Sequence, residues 1–252
     1  MNHIDEPLTE YEEPSHTLLV LGGTGLVGSE FLKSATESAN VHKVYVLTRR
    51  ELVIEYDTDK IIPIVETDTA KWAQIISEIP LIDIVFSSLG TTKSAARGLK
   101  EQHAIDHDLN LELAKAAKLN HVKTFIIITS MNNSALSTFF PYFRIKKQLE
   151  DDLKKLGFGQ LFILRPGPLA GDRSVLQSSG HSLATRLSGF IANTFHEAYL
   201  ANLVGEPITA AQLAQVAMYY LNTTTSPSNS EVNTIDSGDM IWMAHAIDEA
   251  DY

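Results

Sequence analysis

Short apolar runs alternate along the chain with longer stretches whose apolar residues recur every three or four positions. The runs Thr17–Leu21, Lys43–Leu47, Ile61–Val65, Ile82–Ser87, Thr124–Thr129 and Leu161–Leu164 have strand length and are rich in Val, Ile and Leu. Their near-continuous apolarity suits strands buried on both faces of a parallel sheet. Between them, helical periodicity predicts helices from Leu26 to about Ala39, Ala70–Ile79, Gln102–Leu119 and Tyr142–Leu156. In Gln102–Leu119 the expected buried stripe is Ile105, Leu109, Leu113 and Ala116–Ala117, with His103, Asp106, Glu112 and Lys115 mostly off it.

Strict strand–helix alternation with right-handed crossovers predicts an α/β fold, a doubly wound parallel sheet of Rossmann type in the order 3-2-1-4-5-6. After Gly171 the pattern changes to helices at about Ser182–Phe195 and Thr209–Leu221, a polar linker at Thr223–Ser230 and a final mixed segment. Residues 171–252 are therefore expected to form a small C-terminal helical cap on the substrate side of one domain spanning 16–252. The 252 residues, 44% hydrophobic and 20% charged, suit a single core of that size.

Residues 1–15 carry Asp5, Glu6, Glu10, Glu12 and Glu13 without Lys or Arg, and read as a flexible, solvated acidic leader; a docking segment is the other reading. The leader lacks the apolar centre of a signal peptide and the basic face of a transit peptide, so secretion is not expected. No apolar run approaches the roughly 18 residues of a transmembrane segment. A net charge of −11 opposes a nucleic-acid partner. The absence of cysteine removes thiolate chemistry and disulfides, leaving oxygen, nitrogen or a cofactor to carry any catalysis.

The first strand runs into Gly22-Gly23-Thr24-Gly25-Leu26-Val27-Gly28, which opens a helix. Glycines there let the backbone turn tightly and approach a pyrophosphate, whose charge the helix N-terminus stabilises. The spacing is neither G-x-G-x-x-G nor a P-loop, and does not argue for an NTPase. At the end of the second strand stand Thr48, Arg49 and Arg50 in place of the acidic residue that would hold a ribose 2′-hydroxyl. A guanidinium matches a 2′-phosphate, so NADP(H) is the expected cofactor. Asp68 either accepts from the adenine amine or caps the following helix. Leu89, Gly90, Thr91 and Thr92 follow the fourth strand where the chain would pass the middle of the dinucleotide.

Tyr142-x-x-x-Lys146 places a phenol and an ammonium one helical turn apart. A phenol ionises near pH 10, and a neighbouring cation makes it a better acid–base group. The same spacing recurs at Tyr56-x-x-x-Lys60, between the second and third strands and away from the strand C-termini where ligands gather. Tyr142 instead opens the helix after the fifth strand, whose end carries Ser130. Phe139, Phe140 and Pro141 form either a pocket wall or a hydrophobic staple.

The glycine turn, Ser130, Tyr142 and Lys146 resemble the short-chain dehydrogenase/reductase superfamily. Val46–Leu52, Leu89–Thr92, Ile105–Leu111 and Leu164–Leu169 narrow the resemblance to its atypical branch, which includes Tat-interacting protein and the fungal found-in-mitochondrial-proteome proteins. The resemblance implies NADP(H)-dependent oxidoreduction of a small carbonyl-type substrate. It implies Ser130 as carbonyl-orienting group, Tyr142 as proton donor, Lys146 as ribose contact and phenolate stabiliser, and Pro166 and Gly167 beside the nicotinamide. It also implies peripheral association with the cytoplasmic face of the mitochondrial outer membrane, with a second copy or a regulatory protein as partner. A cofactor-sensing regulator without turnover is the alternative it leaves open. The chain departs from relatives at Met131-Asn132-Asn133-Ser134, where they carry small residues, and at Asp106, where many extended relatives place asparagine. His103 and His107 stand one turn apart, but no third ligand stands at a suggestive spacing, so no metal site is expected.

Overall fold

The structure is a computed structural model that describes residues 15–53, 59–91, 93–131, 134–170, 207–224 and 230–250. The chain order is β1 His16–Leu21, α1 Leu26–Glu37, β2 Val41–Thr48, β3 Ile61–Val65, α2 Trp72–Glu78, β4 Ile84–Ser87, α3 Lys93–Ala96 and α4 Leu99–His103. It continues through a π turn at Ala104–Leu109, α5 Asn110–Leu119, β5 Thr124–Ile128, α6 Ser134–Phe139, α7 Pro141–Lys154 and β6 Gln160–Arg165. The remaining elements are β7 Leu169–Ala170, β8 Ile208–Thr209, α8 Ala210–Asn222, β9 Glu231–Asp236 and α9 Ser237–Ala250.

One sheet runs in the order β3-β2-β1-β4-β5-β6-β9, with every neighbouring pair parallel. The expected six-strand order is present and extends by one strand. β9 pairs with β6 from Gln160↔Glu231 to Arg165↔Asp236. The mixed segment after the Thr223–Ser230 linker thus closes the sheet edge, and β7 and β8 form a separate two-stranded ribbon. The expected helix at Ser182–Phe195 lies outside the described residues.

Alternation along β1 divides the core. Leu18 and Val20 face one side with Phe31 and Leu32 of α1 and with Leu213 and Ala217 of α8. Leu19 and Leu21 face the other with Trp72, Leu113, Phe125 and Leu149. Helices thus cover both faces, as nearly continuous apolar strands require. Phe31 stacks on Phe86 with ring centroids 3.7 Å apart, locking α1 to β4. Among the described residues no helix is long and apolar enough to cross a membrane.

α7 is held by charge as well as by packing. Glu150, fully buried, receives the Arg165 guanidinium from the end of β6 at 2.6 Å and the Thr129 hydroxyl at 2.8 Å. Arg165 also reaches Asp236 of β9 at 3.5 Å. One guanidinium therefore ties α7, β6 and β9 together. Removing one partner of such a pair strands a desolvated charge at a cost of about 3–5 kcal/mol, whereas apolar replacement of both recovers much of it. Arg165→Leu is expected to lose stability of that order in urea denaturation, and Arg165→Leu/Glu150→Leu to lose less; an unchanged midpoint in the single variant would contradict this role.

Candidate active site

The sheet reverses its winding between β1 and β4, and the loops after these strands open at the same end. Gly22 has a φ of +87°, and a Cβ on it would sit 2.8 Å from Ser88 Oγ and 2.9 Å from the Ser88 carbonyl carbon. A Cβ on Gly28 would overlap the Gly22 carbonyl, so helix and turn touch backbone to backbone. Gly23 is walled by Val46 and Leu32.

Gly25 differs from the other three. Among the described residues, a Cβ there would meet only the Gly22 carbonyl oxygen, at 3.2 Å, within a 4 Å radius. Gly25 is exposed and caps α1 without a side-chain hydrogen bond to the helix. The first-turn amides of α1 therefore meet a strip of bare backbone, the chemistry of a pyrophosphate cradle. Residues Gly22 to Gly28, including Thr24, Leu26 and Val27, fit a dinucleotide in this respect.

At the end of β2, Arg49 and Arg50 are both exposed. Arg50 Nη2 lies 3.4 Å from Thr24 Oγ1, bringing one guanidinium to the glycine turn. Asp68 spends a carboxylate oxygen on the Ala70 amide at 3.1 Å, which is the capping alternative.

The expected reactive residues meet. Tyr142, at the start of α7, is hydrogen-bonded with Ser130 beyond the end of β5. Lys146, one turn further and 4% exposed, has its Nζ 6.0 Å from the Tyr142 ring centroid. A Cβ on Gly90 would lie 3.5 Å from that Nζ, so the loop after β4 reaches the ammonium. The Met131 amide donates to the Pro166 carbonyl, holding the loops after β5 and β6 together, and the Gly167 amide donates to Ser237 Oγ. Thr92 and the competing Tyr56 lie outside the described residues.

In the helix after the β4 loop, Leu113, Ala116 and Ala117 are buried as the stripe predicts, and the first half departs from it. Asp106, Gln102, His107 and Asn110 are buried, while Ile105 and Leu109 are only partly so. The reason is the π turn, which widens the helix and rotates these polar residues toward the end of β4. Asp106 accepts from the Thr91 amide at 2.7 Å and from Gln102 Nε2 at 3.3 Å, and lies 3.9 Å from Lys146 Nζ. Asn110 accepts from the Ser87 hydroxyl at 2.9 Å and donates to the Leu89 carbonyl at 3.4 Å. Sequence reasoning missed Gln102 and Asn110 as members of this network. The signal was the four-residue step Gln102, Asp106, Asn110, which puts amide, carboxylate and amide on one face.

Burial pushes the Asp106 carboxyl above its usual range, against the pull of Lys146. Burial also raises the Tyr142 phenol; Lys146 and the Ser130 hydrogen bond work against this, and the Asp106 charge adds to it. A buried ammonium–carboxylate pair thus sits beside the phenol, and the proton rests on the phenol oxygen at neutral pH.

A model of the HIM1 family matches residues 58–199. The chain is 36% identical over 232 residues to Protein FMP52, mitochondrial, of Saccharomyces cerevisiae, covering 92% of this chain and 97% of the relative. It is 42% identical over 173 residues to Protein fmp-52, mitochondrial, of Neurospora crassa, covering 68% and 71%. Among solved structures it is similar to Bordetella bronchiseptica WbmH in complex with NAD+, with a TM-score of 0.61–0.62 shared with the oxidoreductase ylbE of Lactococcus lactis. The identities are 16% and 17%, covering 94% and 92% of this chain and 81% and 97% of the others, a likeness of fold.

Asp106→Asn removes a negative charge that opposes phenolate formation, so Tyr142 should ionise at lower pH in the variant. Phenolate difference absorbance, with Tyr142→Phe subtracted in each background, reads the shift; no change or an upward shift would contradict this electrostatic picture.

Proposed function

The chain belongs to the family of HIM1 and the fungal FMP52 proteins, and from that premise we propose that it is an NADPH-dependent oxidoreductase that reduces a carbonyl or related small molecule. The observation that carries the reading is the convergence of Ser130, Tyr142 and Lys146 beside the loop that follows β4, one strand from the glycine turn. A nicotinamide coenzyme supplies the hydride. The chain's own residues manage position and proton: the first-turn amides of α1 hold the pyrophosphate, Ser130 orients the substrate oxygen, and Tyr142 donates its proton as negative charge develops there. Lys146 contacts the ribose and stabilises the phenolate left behind.

The electrostatics support reduction. With Lys146 partly neutralised by Asp106, the phenol keeps its proton and begins as an acid. Preference for the 2′-phosphate is assigned to Arg49 and Arg50, because the end of β2 offers exposed guanidinium groups to that phosphate. Pro166 and Gly167 are assigned to the nicotinamide side. The names of the fungal relatives support a mitochondrial setting, and peripheral attachment to the outer membrane completes the proposal.

NADPH is expected to raise the melting temperature more than NADH does, and purified protein to oxidise NADPH with at least one member of a carbonyl panel. Tyr142→Phe should abolish that turnover and keep the NADPH-induced shift. Equal turnover in the variant would overturn the role of Tyr142, and equal shifts with both coenzymes would overturn the arginine assignment. An NADPH shift with no turnover across the panel would favour cofactor sensing over catalysis.

A further inference from the structure

Away from the phenol, two imidazoles point the same ring nitrogen at one carboxylate. His103 Nδ1 is 3.2 Å from Asp108 Oδ1, and His107 Nδ1 is 2.7 Å from that same oxygen. The opposite nitrogen of each ring faces an oxygen on α7. His103 Nε2 lies 3.4 Å from Gln148 Oε1, and His107 Nε2 lies 3.1 Å from Asp152 Oδ2. An oxygen acceptor at Nε2 is satisfied by an N–H there, which in a neutral imidazole leaves the lone pair on Nδ1. In that tautomer two Nδ1 lone pairs and a carboxylate oxygen converge, the donor set a cation takes; with the proton on Nδ1 each contact is instead a hydrogen bond to Asp108.

The π turn builds this constellation. In a regular α-helix, residues five apart stand about 140° apart around the axis. In a π turn, whose hydrogen bonds run from i to i+5, the wider turn brings residue i+5 much nearer to residue i around the axis, and His103 and Asp108 lie together with His107. This is the third ligand that spacing on an ordinary helix does not offer. Gln148 and Asp152 are likewise one turn apart on α7. Asp152 gives its other oxygen to Lys155 at 2.6 Å, which fixes the carboxylate toward His107. A carboxylate behind an imidazole is a recurrent way of orienting a metal-bound histidine and raising its basicity.

We propose that His103 Nδ1, His107 Nδ1 and the Asp108 carboxylate bind a divalent transition metal, with zinc the ion whose chemistry fits best. The ligand atoms of the three residues lie within 4.8 Å of one another. Tetrahedral zinc, with bonds of about 2.0–2.2 Å, needs its ligands about 3.3 Å apart, so the 2.7 Å contact between His107 and Asp108 opens by about 0.6 Å on binding. Two imidazoles and one carboxylate leave a fourth position for water. The His107 side chain is 6% exposed, His103 35% and Asp108 59%, so the ion enters from solvent and rests on a buried ring. The bound ion clamps the end of α4 to the π turn that also carries Asp106, while Gln148 and Asp152 of α7 hold the two rings from behind. The site shares no ligand with the reactive cluster and stands whether or not the coenzyme reading holds.

The test is calorimetric titration of the untagged, chelator-stripped full chain with Zn2+, paired with thermal unfolding. Zinc at this site should raise the unfolding temperature, and His103→Ala and Asp108→Asn should each weaken that stabilising binding by at least about tenfold while circular dichroism confirms the fold. Asp152→Asn, which leaves all three proposed ligands in place, should weaken it by about 10- to 100-fold. Both ligand variants change exposed or half-exposed side chains, so the comparison does not depend on a core substitution. Failure of Zn2+ to bind or stabilise the parent chain, or binding and stabilisation unchanged in His103→Ala and Asp108→Asn, would overturn the proposal.

Discussion

Where Gly28 of α1 crosses the Gly22 carbonyl, the structure has no room for a single added carbon. That backbone contact fixes the helix axis against the end of β1 and aims its first-turn amides at the strand terminus. Gly22, strained for any other residue at a φ of +87°, presses against Ser88 after β4 and draws the neighbouring loop to the same place. The position of Gly90, and through it Lys146, follows from this closeness of the two loops. The candidate site thus depends on contacts that only glycine permits.

A second constraint acts from the opposite side. α7 presents Tyr142 and Lys146 at its start and Glu150 further along, and Glu150 is fastened to β5 and β6 through Thr129 and Arg165. Two buried acid–base pairs, Glu150–Arg165 and Asp106–Lys146, therefore locate one helix. The first is well formed, with a guanidinium and a hydroxyl meeting the carboxylate. The second is longer, at 3.9 Å, and its carboxylate is satisfied chiefly by Thr91 and Gln102. Its effect is electrostatic: it lowers the net positive field at the phenol while keeping the ammonium in place.

The parallel sheet was legible because its inner strands are buried on both faces, and continuous apolarity survives in sequence. β9 was not, because it lies at the edge: Glu231, Val232 and Asp236 are exposed, and Ile235 alone is buried. Its two-residue period carries too few apolar residues to stand out from the linker before it. The glycine turn and the Ser130–Tyr142–Lys146 grouping were legible from position relative to strand ends. The π turn was not, because it changes hydrogen-bond register without changing composition. It moved Asp106 from an expected polar face to full burial, and it brought Asp108 beside His103. Family membership, supported by 36% identity along 92% of the chain, agrees with the resemblance carried by those motifs.

If the exposed backbone at Gly25 is where a pyrophosphate rests, as proposed, a branched side chain at that position closes the cradle, and Gly25→Val is the variant that shows it. The Gly25 backbone, at φ −88° and ψ 168°, suits any L-residue, and among the described residues the Gly22 oxygen, at 3.2 Å, is the one atom within 4 Å of an added Cβ. Fluorescence titration with NADPH, alongside thermal unfolding, should show a folded variant with a melting temperature close to the parent's and no coenzyme binding. A folded Gly25→Val that binds NADPH as tightly as the parent would contradict the account.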